Sequence, residues 1–304
     1  MTTSICNCSD LDSRPAVPEV PSGEQPALTH VDAPRLSPHV PSAKQQLFLK
    51  LDCLEALYGG AAGGGKSEAL LMAALQYVHV PGYAALILRK DTPRLQLAGG
   101  LIPRSLEWLS NSGAVWNASR RQWTFPSGAT ITFGYLAHPL DKYRYGSSEF
   151  QFIGFDELTE FAEEDYLFLF SRLRKVKELD VPLRMRSASN PGGIGHVWVK
   201  ERFVEARGQE SGIRSHKDID PSSSLTPDPC PLTPAFIPAR IADNPGLSEK
   251  EYRRSLAHLP AVLRERLMNG DWSVQEEGVF QQSWLRYFYV EDGVGRGFRG
   301  ENSS

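Results

Sequence analysis

The fold of this chain is decided by the stretch Gly60-Ala61-Ala62-Gly63-Gly64-Gly65-Lys66-Ser67, which fits the pattern G-x-x-x-x-G-K-S/T of a phosphate-binding loop. Glycine leaves room for backbone N–H groups to converge on phosphate oxygens, and it tolerates the positive φ angles of such a concave loop. Lys66 is expected to bring a cation to the β- and γ-phosphates, and Ser67 a hydroxyl to Mg²⁺. The stretch therefore predicts that all eight residues contact the phosphates of Mg·ATP.

The sequence on either side of this loop supports the same interpretation. The mostly apolar residues 54–58 predict a strand that leads into the loop, and residues 67–78 predict a helix that leaves it. The N-terminal end of that helix would face the bound anion. A purely structural glycine-rich turn is the alternative, but it explains neither Lys66-Ser67 nor the strand–loop–helix context.

Composition narrows the class of protein. The chain has 304 residues, a formal net charge of −3 and a sequence pI near 6.2. A strong overall basic field for nucleic acid is therefore excluded, although a local basic patch is not. No apolar stretch is long enough to span a bilayer, and no basic segment followed by an apolar core marks a secretory signal. We expect a cytoplasmic protein that has no membrane partner.

The four cysteines are Cys6, Cys8, Cys53 and Cys230. Their spacing matches no usual zinc site, and no nearby histidine completes one. We expect reduced thiols that bind no metal, as is usual in the cytoplasm.

Changes in composition along the chain suggest five segments. Residues 1–40 are rich in Pro, Ser, Thr and Asp and predict a disordered tail. Residues 41–217 predict an ATPase core, 218–239 a loop, and 240–275 a small helical subdomain. Residues 276–304 predict a short C-terminal tail.

Within the core, predicted strands alternate with predicted helices. We predict strands at 84–89, 150–155 and 181–187, a hairpin over 122–135, and helices at 42–49, 101–109 and 163–173. In the helical subdomain, Ser248 and Glu251 have the spacing of a capping box, and 262–268 predicts a helix. The alternation predicts an α/β fold with a parallel sheet flanked by helices, of the P-loop NTPase type that includes RecA and the ASCE class.

Two adjacent acids end the strand predicted at 150–155. Asp156 is placed to hold Mg²⁺, and Glu157 to accept a proton from the water that attacks the γ-phosphate. Acids at strand ends are also common for structural reasons. Behind a complete phosphate-binding loop, we favour the functional interpretation.

A third motif, Ser189-Asn190-Pro191-Gly192-Gly193, follows the next strand. Its Ser-Asn pair has groups that can hydrogen-bond to a phosphate or to the attacking water. Asn-Pro-Gly-Gly also favours an ordinary turn, and the residues by themselves do not decide between these roles.

The order and spacing of these motifs resemble the ATPase part of bacteriophage terminase large subunits, from about residue 42 to residue 272. The resemblance includes the approach Leu57-Tyr58-Gly59-Gly60, the motifs around Asp156 and Ser189, and the later runs Asp243-Asn244-Pro245 and Asn269-Gly270-Asp271-Trp272. It implies an ATP-hydrolysing motor that couples hydrolysis to the translocation of DNA into procapsids. The implied partners are double-stranded DNA, a small terminase subunit, a portal protein and further copies of the chain in a ring.

The resemblance also implies roles for single residues. Gln45, with Gln46 as the second candidate, matches the glutamine that reads adenine. Ser189 and Asn190 match a motif that couples hydrolysis to motion and contacts the nucleotide. A catalytic arginine is expected, often from a neighbouring subunit. Arg144 is the first candidate for that arginine, and the others are Arg89, Arg172 and Arg174.

The chain departs from this family after Trp272. Large terminases usually continue into a nuclease domain with dispersed carboxylates around paired metal ions. The acids Asp271, Glu276, Glu277, Glu291 and Asp292 are too few and too local to build that site. We expect no nuclease activity from this chain, and a separate nuclease chain is one explanation.

Two other functions remain open at this stage. One is a different P-loop ATPase that remodels DNA, although the chain has no room for the second RecA-like domain of a helicase. The other is a terminase fragment that folds without hydrolysing ATP.

Overall fold

The computed structural model describes residues 36–205 and 233–274, and the backbone of a separate two-stranded ribbon, Tyr289–Glu291 with Val294–Arg296. Predictions made for other positions, among them the tail up to residue 35, Cys6, Cys8, Cys230, Glu276 and Glu277, lie outside the described residues. Within the described part, no helix combines the length and apolar character needed to cross a bilayer.

One eight-stranded sheet organises the described chain. Its strands are β1 (Glu55–Gly60), β2 (Ala84–Arg89), β3 (Val115–Asn117), β4 (Gln122–Thr124), β5 (Thr130–Tyr135), β6 (Phe152–Asp156), β7 (Arg184–Ser189) and β8 (Ala235–Ala239). They lie in the order β3-β4-β5-β2-β6-β7-β1-β8. The pairs from β5 to β8 are parallel, and β3 and β4 extend one edge in antiparallel register.

Helices connect these strands and cover both faces of the sheet. They are α1 (Ala43–Lys50), α2 (Lys66–Leu75), α3 (Thr92–Gln96), α4 (Leu101–Leu109), α5 (Glu163–Phe170), α6 (His196–Val199), α7 (Glu249–Leu256) and α8 (Ala261–Asn269). A π-helical turn, Lys200–Glu205, continues α6. The alternation of helices and parallel strands confirms the predicted α/β class.

The side chains of β1 explain why the sheet is buried on both sides. Ala56 and Tyr58 join an apolar cluster with α1, α2 and α4, whereas Leu57 joins a second cluster with α5 and α6. Alternate residues of a strand point to opposite faces, so a strand covered on both faces must be apolar throughout. Because β1 pairs in parallel with β7 and β8, its C-terminal end, and hence the glycine-rich loop, lies beside the C-terminal ends of those two strands.

Several predicted elements are confirmed with the same bounds or with shifted ends. The strand Ala84–Arg89 and the helix Leu101–Leu109 have the predicted bounds, and the hairpin appears as β4 and β5. The helix predicted at 163–173 ends at residue 170, and the strand predicted at 181–187 runs from 184 to 189. Ser189 is therefore the last residue of a strand rather than part of the following loop.

Two predictions are wrong. The loop expected over 218–239 contains β8, although Pro238 within it and Pro234 before it favoured a loop; Pro238 is tolerated because β8 lies at the sheet edge. The capping box expected at Ser248 does not form, because the side chain of Ser248 makes no capping hydrogen bond. A capping box forms instead at α1, where Ser42 has ψ of 164° and exchanges hydrogen bonds with Gln45.

A buried arginine joins α1 to the sheet. Arg186, in the middle of β7, is 0% exposed. Its guanidinium donates to the carbonyl oxygens of Leu51 at 2.7 Å, Cys53 at 3.0 Å and Leu54 at 3.2 Å. A cation at these carbonyls stabilises the C-terminal end of α1 and the turn that leads into β1.

We expect Arg186→Met to lower the free energy of unfolding by about 3 kcal/mol or more, because buried carbonyl groups lose their donors. Urea unfolding followed by circular dichroism would measure the change, with the exposed Arg120→Met as the matched control. A loss below about 1 kcal/mol would show that water or a rearranged backbone satisfies these carbonyls.

Candidate active site

The glycine-rich loop adopts a backbone that other residues tolerate poorly. Gly60, Gly63 and Gly65 have φ angles of 134°, 75° and 72°. A Cβ atom on Gly60 would also lie 2.5 Å from the carbonyl oxygen of Ala239, at the end of β8. The backbone N–H of Ala61 donates to that same oxygen at 2.9 Å. Both the curvature of the loop and its attachment to the sheet therefore require glycine at these positions.

A cavity of about 340 Å³ lies over this loop. Its lining residues are Ala62, Gly63, Gly64, Gly65, Lys66, Ser67, Glu68, Gly99, Arg104, Glu157, Asn190, Asn244 and Tyr252. Six of the eight predicted loop residues, Ala62 to Ser67, thus meet Glu157 and Asn190 at the C-terminal ends of β1, β6 and β7, where ligands bind in open α/β sheets. Gly60 and Ala61 do not line the cavity. The structure brings together residues that are far apart in the sequence: Lys66 and Asn190 are separated by 124 positions, and Gly63 and Asn244 by 181.

Lys66 lies at the floor of the cavity and is buried. Its ammonium donates to the carbonyl oxygen of Ala61 at 2.5 Å and to Oδ1 of Asn190 at 2.8 Å. Burial lowers the pKa of Lys66 from 10.5 to about 8, an effect that the negative charges of Glu157 and Asp156 oppose. The site therefore holds a desolvated cation at the position where the loop would receive phosphate.

Asp156 lies next to Ser67 at the end of β6. Its Oδ1 accepts a hydrogen bond from the Ser67 hydroxyl at 2.8 Å, and its Oδ2 pairs with Nη1 of Arg89 at 2.6 Å. Arg89 thus contributes to the site through the carboxylate. Arg89 acts within its own subunit, whereas the expected catalytic arginine is often supplied by a neighbouring subunit.

Glu157 is held in an unusual backbone conformation. Its φ and ψ are 60° and 58°, in the left-handed region that glycine usually occupies. Both carboxylate oxygens accept from Nδ2 of Asn190 at 3.3 Å. Burial, and then the charge of Asp156, raise the pKa of Glu157, while Lys66 and Arg89 act in the opposite direction. A raised pKa makes the ionised carboxylate a better proton acceptor.

Asn190 connects the cation to the carboxylate. Its amide oxygen accepts from Lys66 and its amide nitrogen donates to Glu157. Ser189 does not line the cavity: it is buried, and its hydroxyl lies 2.9 Å from Oγ1 of Thr159. The two residues of the motif therefore occupy different positions, Asn190 in the cavity and Ser189 beneath the turn that follows Glu157.

Gln45 contacts the loop rather than the middle of the cavity. Its Nε2 donates to the carbonyl oxygen of Gly65 at 3.0 Å, while its Oε1 accepts from the backbone of Ser42 at 2.8 Å. It also lines a second cavity of about 410 Å³ beside the first. Gln46 is exposed and donates to the carbonyl oxygen of Pro41. Of the two candidates for the glutamine that reads adenine, Gln45 is therefore the one whose position fits better.

Three of the predicted arginines lie away from the cavity. Arg144 stacks 4.4 Å from the ring centre of Tyr135 and pairs with Asp141 at 3.1 Å. Arg172 donates to the carbonyl oxygen of Gly146, and Arg174 pairs with Glu149. None of these guanidinium groups lines the cavity of its own subunit in the described chain.

Sequence reasoning missed several lining residues that come from elsewhere in the fold. Arg104 reaches the cavity from α4, and Tyr252 from α7. Asn244 donates from its side chain to the carbonyl oxygen of Gly63 at 2.7 Å. The run Asp243-Asn244-Pro245 was a signal for Asn244, but nothing in the local sequence pointed to Arg104 or Tyr252.

The Ser67 and Asp156 oxygens are hard ligands of the kind that Mg²⁺ prefers. Within 36–205 and 233–274, no three His, Cys, Asp or Glu side chains converge on a metal site. This donor set fits an ion that keeps several waters and shares substrate phosphates, as Mg²⁺ does in nucleotide sites. A metal that needs an all-protein cage would not fit.

The parallel sheet, the glycine-rich loop and the Asp-Glu pair on β6 together define a P-loop NTPase of the ASCE type. The chain belongs to the family described as terminase large subunit, T4likevirus-type, N-terminal, whose model matches residues 57–287. No curated protein sequence matches the chain.

Solved structures with the same fold include large terminases. The large terminase of a thermophilic bacteriophage in complex with ADP aligns with a TM-score of 0.55 and 15% identity, over 76% of this chain and 53% of that one. The complex of the same protein with ATP-gamma-S aligns with a TM-score of 0.53 and 16% identity, over 77% of this chain and 53% of that one. The large terminase ATPase domain of Thermus phage P74-26 aligns with a TM-score of 0.50 and 14% identity, over 78% of this chain and 96% of that one. The chain thus spans about half the length of the first protein and nearly all of the P74-26 domain.

The lowered pKa of Lys66 predicts how stability depends on pH. Between about pH 8 and 10.5, Lys66 is neutral in the folded chain and protonated in the unfolded chain, so the unfolded state binds more protons. The free energy of unfolding should then rise with pH in this window, by about 1 kcal/mol per pH unit from this group. Urea unfolding of the wild type and of Lys66→Met from pH 8 to 9.5 would isolate that contribution.

The matched control is Lys50→Met, which removes an exposed ammonium in the last turn of α1. It should keep the pH slope of the wild type, whereas Lys66→Met should lose part of it. Equal slopes for the wild type and Lys66→Met would mean that Lys66 titrates as an ordinary lysine.

Proposed function

We propose that this chain is an ATP-hydrolysing motor domain of a phage DNA-packaging terminase. The observation that carries the proposal is the chain of contacts from Lys66 through Asn190 to Glu157, beside the Ser67–Asp156 pair in one cavity. A cation for phosphate, oxygen ligands for Mg²⁺ and a buried carboxylate for water are the three groups that ATP hydrolysis requires. Membership of the terminase family supports the same reaction.

In the proposed reaction, the glycine-rich loop and Lys66 bind the phosphates and stabilise the negative charge that develops on them. Glu157 accepts a proton from water as the water oxygen bonds to the γ-phosphorus. The bond between that phosphorus and the bridging oxygen of ADP breaks, which yields ADP and inorganic phosphate. Mg²⁺, held by Ser67 and Asp156, would neutralise phosphate charge when bound.

The contacts of Asn190 support a role in coupling hydrolysis to movement. Loss of the γ-phosphate would change the charge next to Lys66 and Glu157, the two groups that Asn190 contacts. The following loop leads towards the helical region: the backbone N–H of Gly192 donates to Nδ1 of His196, and the His196 ring stacks on Trp272 at 5.5 Å. A change at Asn190 therefore has a short physical path to the residues that follow α8.

The proposed setting is the host bacterial cytoplasm, where the motor would act on the procapsid. Its proposed partners are double-stranded DNA, a small terminase subunit, a portal protein and further copies of this chain in a ring, with a nuclease on a separate chain as one arrangement. Family membership supports these partners, and each is open to a binding test.

Arg144 is proposed to act on the cavity of a neighbouring subunit. Its side chain is 43% exposed and lies outside the cavity of its own subunit. Tyr135 and Asp141 hold the guanidinium at the surface, which limits the entropy that it would lose on reaching a partner. These features fit an arginine that acts on a neighbouring subunit, whereas Arg89 is paired with Asp156 inside its own subunit.

Glu157→Gln should retain binding of Mg·ATP and lose turnover by about 10²-fold or more, because the positioned base is removed. Lys66→Ala should abolish hydrolysis and also weaken binding, and Asp156→Asn should weaken the dependence on Mg²⁺. Binding of a fluorescent ATP analogue beside a phosphate-release assay would separate these effects. Normal hydrolysis by Glu157→Gln would place the base elsewhere.

Mixing two inactive variants would test the role of Arg144. In a mixed assembly, an intact Arg144 from the Glu157→Gln subunit would serve an intact Glu157 in the Arg144→Ala subunit, so part of the ATPase activity should return. A mixture of Lys66→Ala with Glu157→Gln is the matched control. Each of these substitutions disables the cavity of the subunit that carries it, so activity should stay absent. No recovery by the first mixture, despite assembly confirmed by native mass spectrometry, would exclude action in trans.

A further inference from the structure

Arg104 occupies the junction between two cavities. It lies in α4, and its side chain lines both the cavity over the glycine-rich loop and the neighbouring cavity of about 410 Å³. Glu157 and Asn190, at the end where hydrolysis is proposed, line only the first cavity. Arg104 is therefore placed away from the reacting end of a nucleotide that extends from one cavity into the other.

The contacts of Arg104 leave its terminal nitrogens available. Nε lies 3.3 Å from Oε1 of Glu68, and Oε2 of Glu68 lies 3.2 Å from Nε2 of His39. Within the described parts of the chain, neither terminal nitrogen of Arg104 forms a hydrogen bond with another residue. The ion pair with Glu68 orients the guanidinium at the cavity wall through Nε, and the two terminal nitrogens remain available to a ligand.

The charge balance of the cavity shows what kind of ligand would suit that end. Its lining contains two cations, Lys66 and Arg104, and the two acids Glu68 and Glu157. Lys66 is already in contact with Ala61 and Asn190 at the floor. Glu68 directly follows Ser67 and places a negative charge beside the phosphate site. The negative charge of an entering polyphosphate must therefore be offset there by a cation.

We propose that Arg104 binds non-transferred phosphate oxygens of the nucleotide and thereby sets nucleotide affinity. This inference rests on the proposed function and assigns a further binding residue to the same site. A guanidinium presents paired donors that match phosphate oxygens. The terminal nitrogens of Arg104 donate to phosphate while Nε keeps its contact with Glu68, and Arg104 takes no part in proton transfer.

The two partners of the ion pair allow a sharp test. Arg104→Ala should weaken binding of both ATP and inorganic triphosphate by about 10- to 100-fold, the effect of losing a charge-assisted hydrogen bond. It should raise KM for ATP by a similar factor and leave kcat within about twofold, since binding is lost equally in the ground and transition states. Glu68→Gln should bind both anions at least as tightly as the wild type, because it removes a negative charge beside the phosphates and its amide oxygen can still accept from Nε of Arg104.

Inorganic triphosphate is the decisive probe because it carries no base or sugar. Competition against a fluorescent ATP analogue, or calorimetry with triphosphate alone, would give the affinities, and thermal unfolding would show that each variant is folded. The exposed Arg120→Ala removes the same charge elsewhere and should keep wild-type affinity.

Four outcomes would overturn the inference. Weakened binding by both Arg104→Ala and Glu68→Gln would mean that the ion pair only supports the fold. Weaker ATP binding with unchanged triphosphate binding would mean that Arg104 contacts the sugar or base. If Arg104→Ala keeps wild-type affinity while the separate variant Lys66→Ala loses activity, Arg104 does not contact the nucleotide, and the proposed function still holds. Absence of nucleotide binding by the wild type would overturn both.

Discussion

The site depends on the burial of one ammonium group. Lys66 loses its water on folding, and a buried charge is tolerated only where polar groups replace that water. Ala61 and Asn190 supply oxygen atoms at 2.5 and 2.8 Å, and Glu157 supplies a compensating charge. The order β6-β7-β1 in the sheet brings the loop, the carboxylate and the amide to the same edge.

The carboxylate that compensates the charge of Lys66 belongs to a residue with an unusual backbone. The carboxylate reaches Asn190 from a left-handed residue, a conformation that surrounding contacts must stabilise. Thr159 provides such contacts, since its backbone N–H and its hydroxyl both meet the Ser189 hydroxyl. Ser189 thus connects the end of β7 to the turn that follows β6, and Asn190 extends from that end of β7 into the cavity.

The helical region over residues 240–274 is part of the site rather than a separate attachment. Asn244 hydrogen-bonds to the glycine-rich loop, and Gly63 lies so close to Leu247 and Tyr252 that a Cβ atom there would approach both within 2.9 Å. Because one wall of the cavity comes from this region, nucleotide binding and the position of the helices are physically linked. That linkage is what a motor needs, and it supports the proposed function without depending on the identity of the partners.

The sequence by itself determined the features that are written locally. The glycine-rich loop, the strand Ala84–Arg89, the helix Leu101–Leu109 and the α/β class follow from patterns within short segments, because turn geometry and burial periodicity act over neighbouring residues. Only the tertiary structure decided the bridge from Lys66 through Asn190 to Glu157, the strand β8 and the presence of Arg104 and Tyr252 at the cavity. These contacts join residues that are far apart in the chain, so their formation depends on strand order and packing, which no local pattern encodes.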